Sequence, residues 1–216
     1  MAVLGLALDL WSKYQVFQTL GQGHRPVVVI PHVLELQTML NKGALFGIGA
    51  GQTTLFLIAS ACALLLVFWM FSQTSARNWA LQIALGGILA GALGNMYDRS
   101  FVKLPEEAWR GVYMQKVGQD ARGVVLKVYP ARADEREIIV PPQDVPREVG
   151  FVRDFIKFPT TLPQWSWIPE QVRGKELWPW VFNVADALLV CGVVILGVHL
   201  WRDRRRLPKR VRITAD

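Results

Sequence analysis

The sequence predicts an all-α membrane protein: a four-transmembrane-helix bundle, its first helix truncated, with a small extracytoplasmic β-rich part. Three observations predict it. The 216 residues are 52% hydrophobic with a mean hydropathy of +0.26, more apolar than a soluble domain of this size usually reads. The apolar residues gather in Thr53–Phe71, Trp79–Met96 and Val181–Trp201, each near the 20 or so residues that a hydrocarbon core of roughly 30 Å requires. The last run leads into Arg202–Asp216, where seven Lys/Arg face two Asp, the mark of a cytoplasmic anchor. The net charge of +7 therefore points to a membrane surface and not to nucleic acid.

Met1–Leu20 opens apolar and meets Asp9, Ser12 and Lys13. No basic segment precedes the apolar run, so it is not a signal peptide; it reads as the last turns of a membrane helix whose start is missing. Asp9 and Lys13 are four apart and can pair at the membrane surface. Gly21–Gly51 lies outside the membrane, with a β-branched strand over Pro26–Pro31. The glycine-dense stretch from Asn41 and Gly43 to Gly51 allows close backbone approach. It lacks the Gly-Lys-Ser/Thr ending of a phosphate loop. His24 and His32 read as surface residues. Cys62 and Cys191 have no partner at metal-ligand spacing and read as small buried apolar residues.

Thr53–Phe71 is an uncharged span, Ser72–Asn78 a polar turn and Trp79–Met96 the next span. In the latter, Gly87 and Gly91, like Gly86 and Ala90, are four apart, a spacing that lets membrane helices pack closely. The span ends in Asn95, Asp98 and Arg99, which share a helix face. Phe101–Gly150 differs in composition: eight Lys/Arg balance eight Asp/Glu. Gly111–Val128 and Arg136–Val140 suggest strands of an exposed β-rich insert, and Asp134, Glu135 and Glu137 a solvated charge run. Phe151–Phe155 sets Asp154 among apolar neighbours. Phe158–Trp178 is rich in Trp and Pro, suited to the lipid headgroup level. The last span begins with Asn183 and Asp186, three apart on one helix face. The domain plan is thus 1–100 (helices one to three, with the β segment 21–51), the insert 101–150, a segment 151–201 with the last helix, and the tail 202–216.

A cytoplasmic tail fixes the direction of every helix. Asp9, Asn41, Asn95, Asp98, Arg99, Asp154, Asn183 and Asp186 then all fall on the extracytoplasmic face. Two carboxylates held close share a proton, because both cannot ionise cheaply. Such a dyad can deprotonate a water attacking an amide and protonate the leaving nitrogen without a metal. Asp98 with Asp186 is the pairing that the two Asn-x-x-Asp segments suggest by themselves.

Five segments, DLWSK (Asp9–Lys13), NKGALF (Asn41–Phe46), GALGNMYDR (Gly91–Arg99), VRDF (Val152–Phe155) and FNVAD (Phe182–Asp186), resemble the lipoprotein signal peptidase (signal peptidase II) family in order and in topology. The resemblance implies an intramembrane aspartic endopeptidase of the bacterial inner membrane that cleaves diacylglyceryl-modified prolipoproteins before the lipidated cysteine. It implies Asp154 and Asp186 as the catalytic dyad, displacing Asp98. It implies supporting roles for Asp9, Lys13, Asn41, Gly43, Gly91, Asn95, Asp98, Arg99 and Asn183, with no metal and no cofactor. The expected partners are the prolipoprotein and membrane lipids, and the expected state is monomeric. The chain departs from the family in its short first helix and in the long Asp98–Asp154 and Asp154–Asp186 separations. The competing readings are an inactive relative that binds lipoproteins and a small proton-coupled carrier. The carrier predicts charges at midplane depth and internal repeats.

Overall fold

The computed structural model describes residues 1–23, 25–42, 53–75, 77–132 and 136–206. His24, the stretch 43–52 with Gly43 and its neighbouring glycines, Asp134 and Glu135, and the tail 207–216 lie outside the described residues. In chain order the elements are α1 (Ala2–Leu20), β1 (Val27–Ile30), β2 (Leu34–Asn41), α2 (Thr53–Gln73), α3 (Trp79–Phe101), β3 (Lys103–Pro105), β4 (Met114–Asp120), β5 (Gly123–Val128), β6 (Ile138–Val140), β7 (Glu148–Gly150), β8 (Val152–Lys157), β9 (Val181–Phe182) and α4 (Val184–Arg206).

This corrects the expected fold class. The four helices share the chain with three sheets, so the protein is not an all-α bundle. Among the described residues, two helices are long and apolar enough to cross a membrane, Trp79–Phe101 and Val184–Asp203, and not four. The physical reason lies in the segments between the helices. Short extended stretches between the helices must satisfy their backbone groups, and those of the largest sheet do so by pairing with strands far away in sequence. β2 pairs antiparallel with β8, setting Met39 opposite Asp154 and Asn41 opposite Val152. The full sheet runs β1-β2-β8-β9. The region 101–150 supplies the other two sheets, the meander β4-β5-β6 and the β3-β7 pair.

The helices meet through missing side chains. On α3, a Cβ at Gly91 would overlap the Ala185 carbonyl of α4, and one at Gly87 would lie 3.1 Å from the Leu188 carbonyl. Gly86 instead faces α1, where its Cβ would sit 3.0 Å from Met1 Cβ. The two small-residue pairs thus serve different neighbours. α1 runs alongside α3 in the same direction, with Met1 against Gly86, Gly5 against Ala90, Asp9 against Gly94 and Lys13 against Asp98. α4 runs antiparallel to both. Asp9 and Lys13 pair as their spacing suggests, at 2.8 Å, and both are fully buried between helices. α1 is also a continuous 19-residue helix, about 28 Å long at 1.5 Å per residue.

Cys62 and Cys191 face outward, against the expectation that they are buried. They share the outer faces of α2 and α4 with Leu65, Leu66 and Phe68, and with Val190, Val194 and Val198. His32 is exposed, as expected. Beyond the helices, a second core gathers Phe17, Val102, Leu104, Tyr129, Phe151 and Phe155. It joins the ends of α1 and α3 to β8 and to the insert.

Candidate active site

The site forms where the middle of α1 and the C-terminal end of α3 meet the N-terminal end of α4. Helix ends leave backbone groups without intrahelical partners, and here side chains supply them. Asn183 caps α4: its Oδ1 accepts from the Asp186 N–H at 3.0 Å, while Asp186 Oδ2 accepts from the Asn183 N–H at 3.3 Å. This is the reciprocal arrangement of a capping box. It explains the Asn-x-x-Asp spacing and aims the Asp186 carboxylate out of the helix start. The next open donor, Ala185 N–H, goes to Asp9 Oδ1 across the bundle at 2.8 Å.

Asn95 and Asn183 link the carboxylates. Asn95 Nδ2 donates to Asp186 Oδ1 at 2.7 Å, and Asn183 Nδ2 donates to Asp154 Oδ1 at 2.6 Å and to Asn95 Oδ1 at 3.2 Å. Asn41 Nδ2 donates to the other Asp154 oxygen at 3.0 Å. Asp154, 1% exposed on β8, is thus held from both sides, by β2 and by α4. Burial first, and then the charge of Asp186, push its carboxyl up to about 8, although the two asparagine hydrogen bonds pull the other way. A carboxyl group that holds its proton at neutral pH beside a second carboxylate has the form of an acid–base pair.

Behind the asparagines lies a buried ion cluster. Lys13 Nζ is 2.8 Å from Asp9, 3.4 Å from Asp98 and 3.2 Å from Asn95 Oδ1. Asp98 also accepts from the Arg153 guanidinium, at 2.6 Å from Nη2 and 3.2 Å from Nε, and from the Arg153 backbone N–H at 2.9 Å. Asp98 is thus paired with both Lys13 and Arg153. Arg99 lies in the field of Asp186, Asp154 and Asp98, strongest for Asp186.

Of the residues picked out in the sequence, Asp9, Lys13, Asn41, Asn95, Asp98, Asp154, Asn183 and Asp186 converge, with Arg99 at the edge. Gly91 serves the helix seam, and Gly43 is outside the described residues. Arg153 escaped the sequence reading. Its signal was an arginine placed beside an acid in an otherwise apolar strand, a charge that needs a partner if buried. The Asp98–Asp186 pairing does not form directly: Lys13 and Arg153 neutralise Asp98. Among the described residues no group of three or more His, Cys, Asp or Glu side chains is arranged to hold a metal ion.

The family pattern described as Signal peptidase (SPase) II matches residues 1–202. Over 202 residues the chain is 31% identical to a lipoprotein signal peptidase from Rhodopirellula baltica, covering 92% of this chain and 69% of that one. Over 204 residues it is 24% identical to a lipoprotein signal peptidase from Desulfitobacterium hafniense, covering 93% of each. Two solved structures of bacterial membrane enzymes, determined in meso, share the fold. One superposes with a TM-score of 0.60 at 24% identity over 98% of this chain and 92% of that one. The other gives 0.58 at 24% identity over 94% and 90%.

Proposed function

The chain belongs to the signal peptidase II family, and from that premise we propose that it is an aspartic endopeptidase with Asp154 and Asp186 as its catalytic pair. Membership makes it a peptidase of lipoprotein maturation acting on prolipoproteins. The finer reading is that it cuts diacylglyceryl-modified precursors just before the lipidated cysteine.

One observation carries the aspartic reading: two carboxylates tied together by Asn183 and Asn95, one of which, Asp154, is buried so that its carboxyl is pushed well above the usual carboxylate range. In the resting pair one proton is shared, and Asp154, whose carboxyl burial and the neighbouring Asp186 push up, is the acid that carries it. Asp186 takes a proton from a water as its oxygen attacks the scissile carbonyl, and Asp154 gives its proton to the carbonyl oxygen. Collapse of the tetrahedral intermediate returns that proton to Asp154 and breaks the C–N bond. The proton held by Asp186 passes to the leaving nitrogen, so the pair ends as it began. Arg99, close in field to both acids, supports the negative charge that moves between them. Asn41 and Asn183 hold Asp154 in place.

The orientation we propose puts this end of the helices at the extracytoplasmic face and the tail in the cytoplasm. It is supported by the shared location of the whole cluster and by the basic run after α4. Trp69, Trp79 and Trp201 are exposed at the opposite end, where an aromatic belt is expected. A single chain carries every member of the cluster, in keeping with action as a monomer.

The test is a gel-shift cleavage assay on a diacylglyceryl-modified prolipoprotein. Asp154→Asn and Asp186→Asn each reduce cleavage by roughly a thousandfold or more, the scale of losing a member of a catalytic constellation, while both proteins still accumulate in the membrane. Near-normal cleavage by either variant would remove that residue from the dyad.

A further inference from the structure

The insert 101–150 does not stand apart from the site. Tyr113, at its start, is held by Gln22 at the end of α1: the Tyr113 N–H donates to Gln22 Oε1 at 2.9 Å, and Gln22 Nε2 donates to the Tyr113 carbonyl at 3.0 Å and to that of Tyr129. The Tyr113 ring then meets two neighbours. It packs on Phe151 with ring centres 4.6 Å apart, and the Lys42 ammonium sits 5.7 Å from its centre. Lys42 also donates to the Glu106 carbonyl. The insert returns to β8 through β3 and β7, where Leu104 pairs with Val149. Gly150 passes so close to the Arg99 carbonyl that a Cβ there would overlap it, and the Phe151 N–H bonds the Val102 carbonyl at 2.9 Å.

Both residues braced by Tyr113 adjoin the site. Lys42 follows Asn41, the donor to Asp154 Oδ2. Phe151, fully buried, precedes the strand that carries Asp154. We propose that the insert is a positioning clamp for the reaction, in which Tyr113 grips Lys42 and Phe151 together and so fixes Asn41 against Asp154. Tyr113 and Lys42 touch no reacting atom; they act through Asn41 and Asp154. The proposal rests on Asp154 being catalytic. A misplacement of about 1 Å at a reacting group can cost up to a hundredfold in rate, which is the effect a loosened clamp should have.

The experiment measures kcat and KM for the full-length chain in detergent–lipid micelles with a diacylglyceryl-modified prolipoprotein peptide. Tyr113→Ala and Lys42→Ala lower kcat roughly 10- to 100-fold with KM little changed. Tyr113→Phe keeps the ring and Lys42→Arg keeps a cation over it, so both stay near wild type. The double alanine variant is no slower than the worse single one, because both remove the same clamp. Wild-type kcat in Lys42→Ala and Tyr113→Ala, with Asp154→Asn inactive, overturns the clamp and leaves the dyad standing. A kcat in Tyr113→Phe as low as in Tyr113→Ala also overturns it, since the ring would then not be what matters. If Tyr113→Ala does not fold, the Lys42→Ala and Lys42→Arg pair decides. Cleavage by Asp154→Asn overturns the dyad and the clamp together.

Discussion

At the scale of single residues, Asp154 is where chemistry and stability oppose each other. In an unfolded chain its carboxyl titrates near 3.8, and in the folded protein near 8. Between those values the native state holds a proton that the unfolded state has lost, so this group's contribution to stability falls as pH rises through that window. An asparagine in its place has no charge to bury. The new amide can face Asn183 Nδ2 with its oxygen while the Asn41 amide turns over to accept. Asp154→Asn therefore melts higher than wild type, with a gap that is small near pH 4 and widens towards pH 8. Thermal unfolding across that range checks the sign. Each kcal/mol corresponds to roughly 2–4 °C for a chain of this size. Asp154 and Asp186 were both legible in the sequence, because acids beside apolar runs need a reason to be there. The choice of Asp154 over Asp98 was not legible from spacing and came from family likeness. The structure offers a physical basis: Asp98 is neutralised by Lys13 and Arg153, while Asp154 is held by the amides of Asn41 and Asn183.

At the scale of elements, the helices were written in the sequence and most of the strands were not. A long apolar run announces itself within one stretch of chain. β8 is six residues long, and its partner β2 lies more than a hundred positions away, so nothing local marks the pair. The small-residue spacing on α3 was legible as helix packing, and the structure adds which face meets which helix. Gly91 sits where a methyl group would overlap backbone of α4, whereas a Cβ at Gly197 on α4 has nothing within 4 Å. Gly91→Ala should cost about 1–3 kcal/mol through overpacking and lower activity as α4 shifts Asp186. Gly197→Ala should be neutral or stabilising, by up to about 1 kcal/mol, through helix propensity. Denaturation of the two variants in the same detergent compares them directly; equal destabilisation would contradict the close α3–α4 seam.

At the scale of the whole molecule, the site is built where two helix ends, the middle of a third helix, one sheet and the insert meet. Asp9 and Lys13 come from the start of the chain, Asn41 from β2, Asn95 and Asp98 from the end of α3, Arg153 and Asp154 from β8, and Asn183 and Asp186 from the start of α4. Such convergence needs both layers. The helices place the ion cluster, and the sheet carries Asp154 to it. That is why the expectation of an all-α bundle could name the residues and miss their support. The central claim is that Asp154 and Asp186 work as one proton-sharing pair. The measurement that tests it most directly is the pH dependence of kcat/KM for prolipoprotein cleavage, from about pH 4 to 10. A proton-sharing pair gives a bell, because one proton on the pair is active while two or none are not. Its alkaline limb falls near pH 8, where Asp154 gives up its proton. A rate that holds level or keeps rising through pH 10 would contradict the pair.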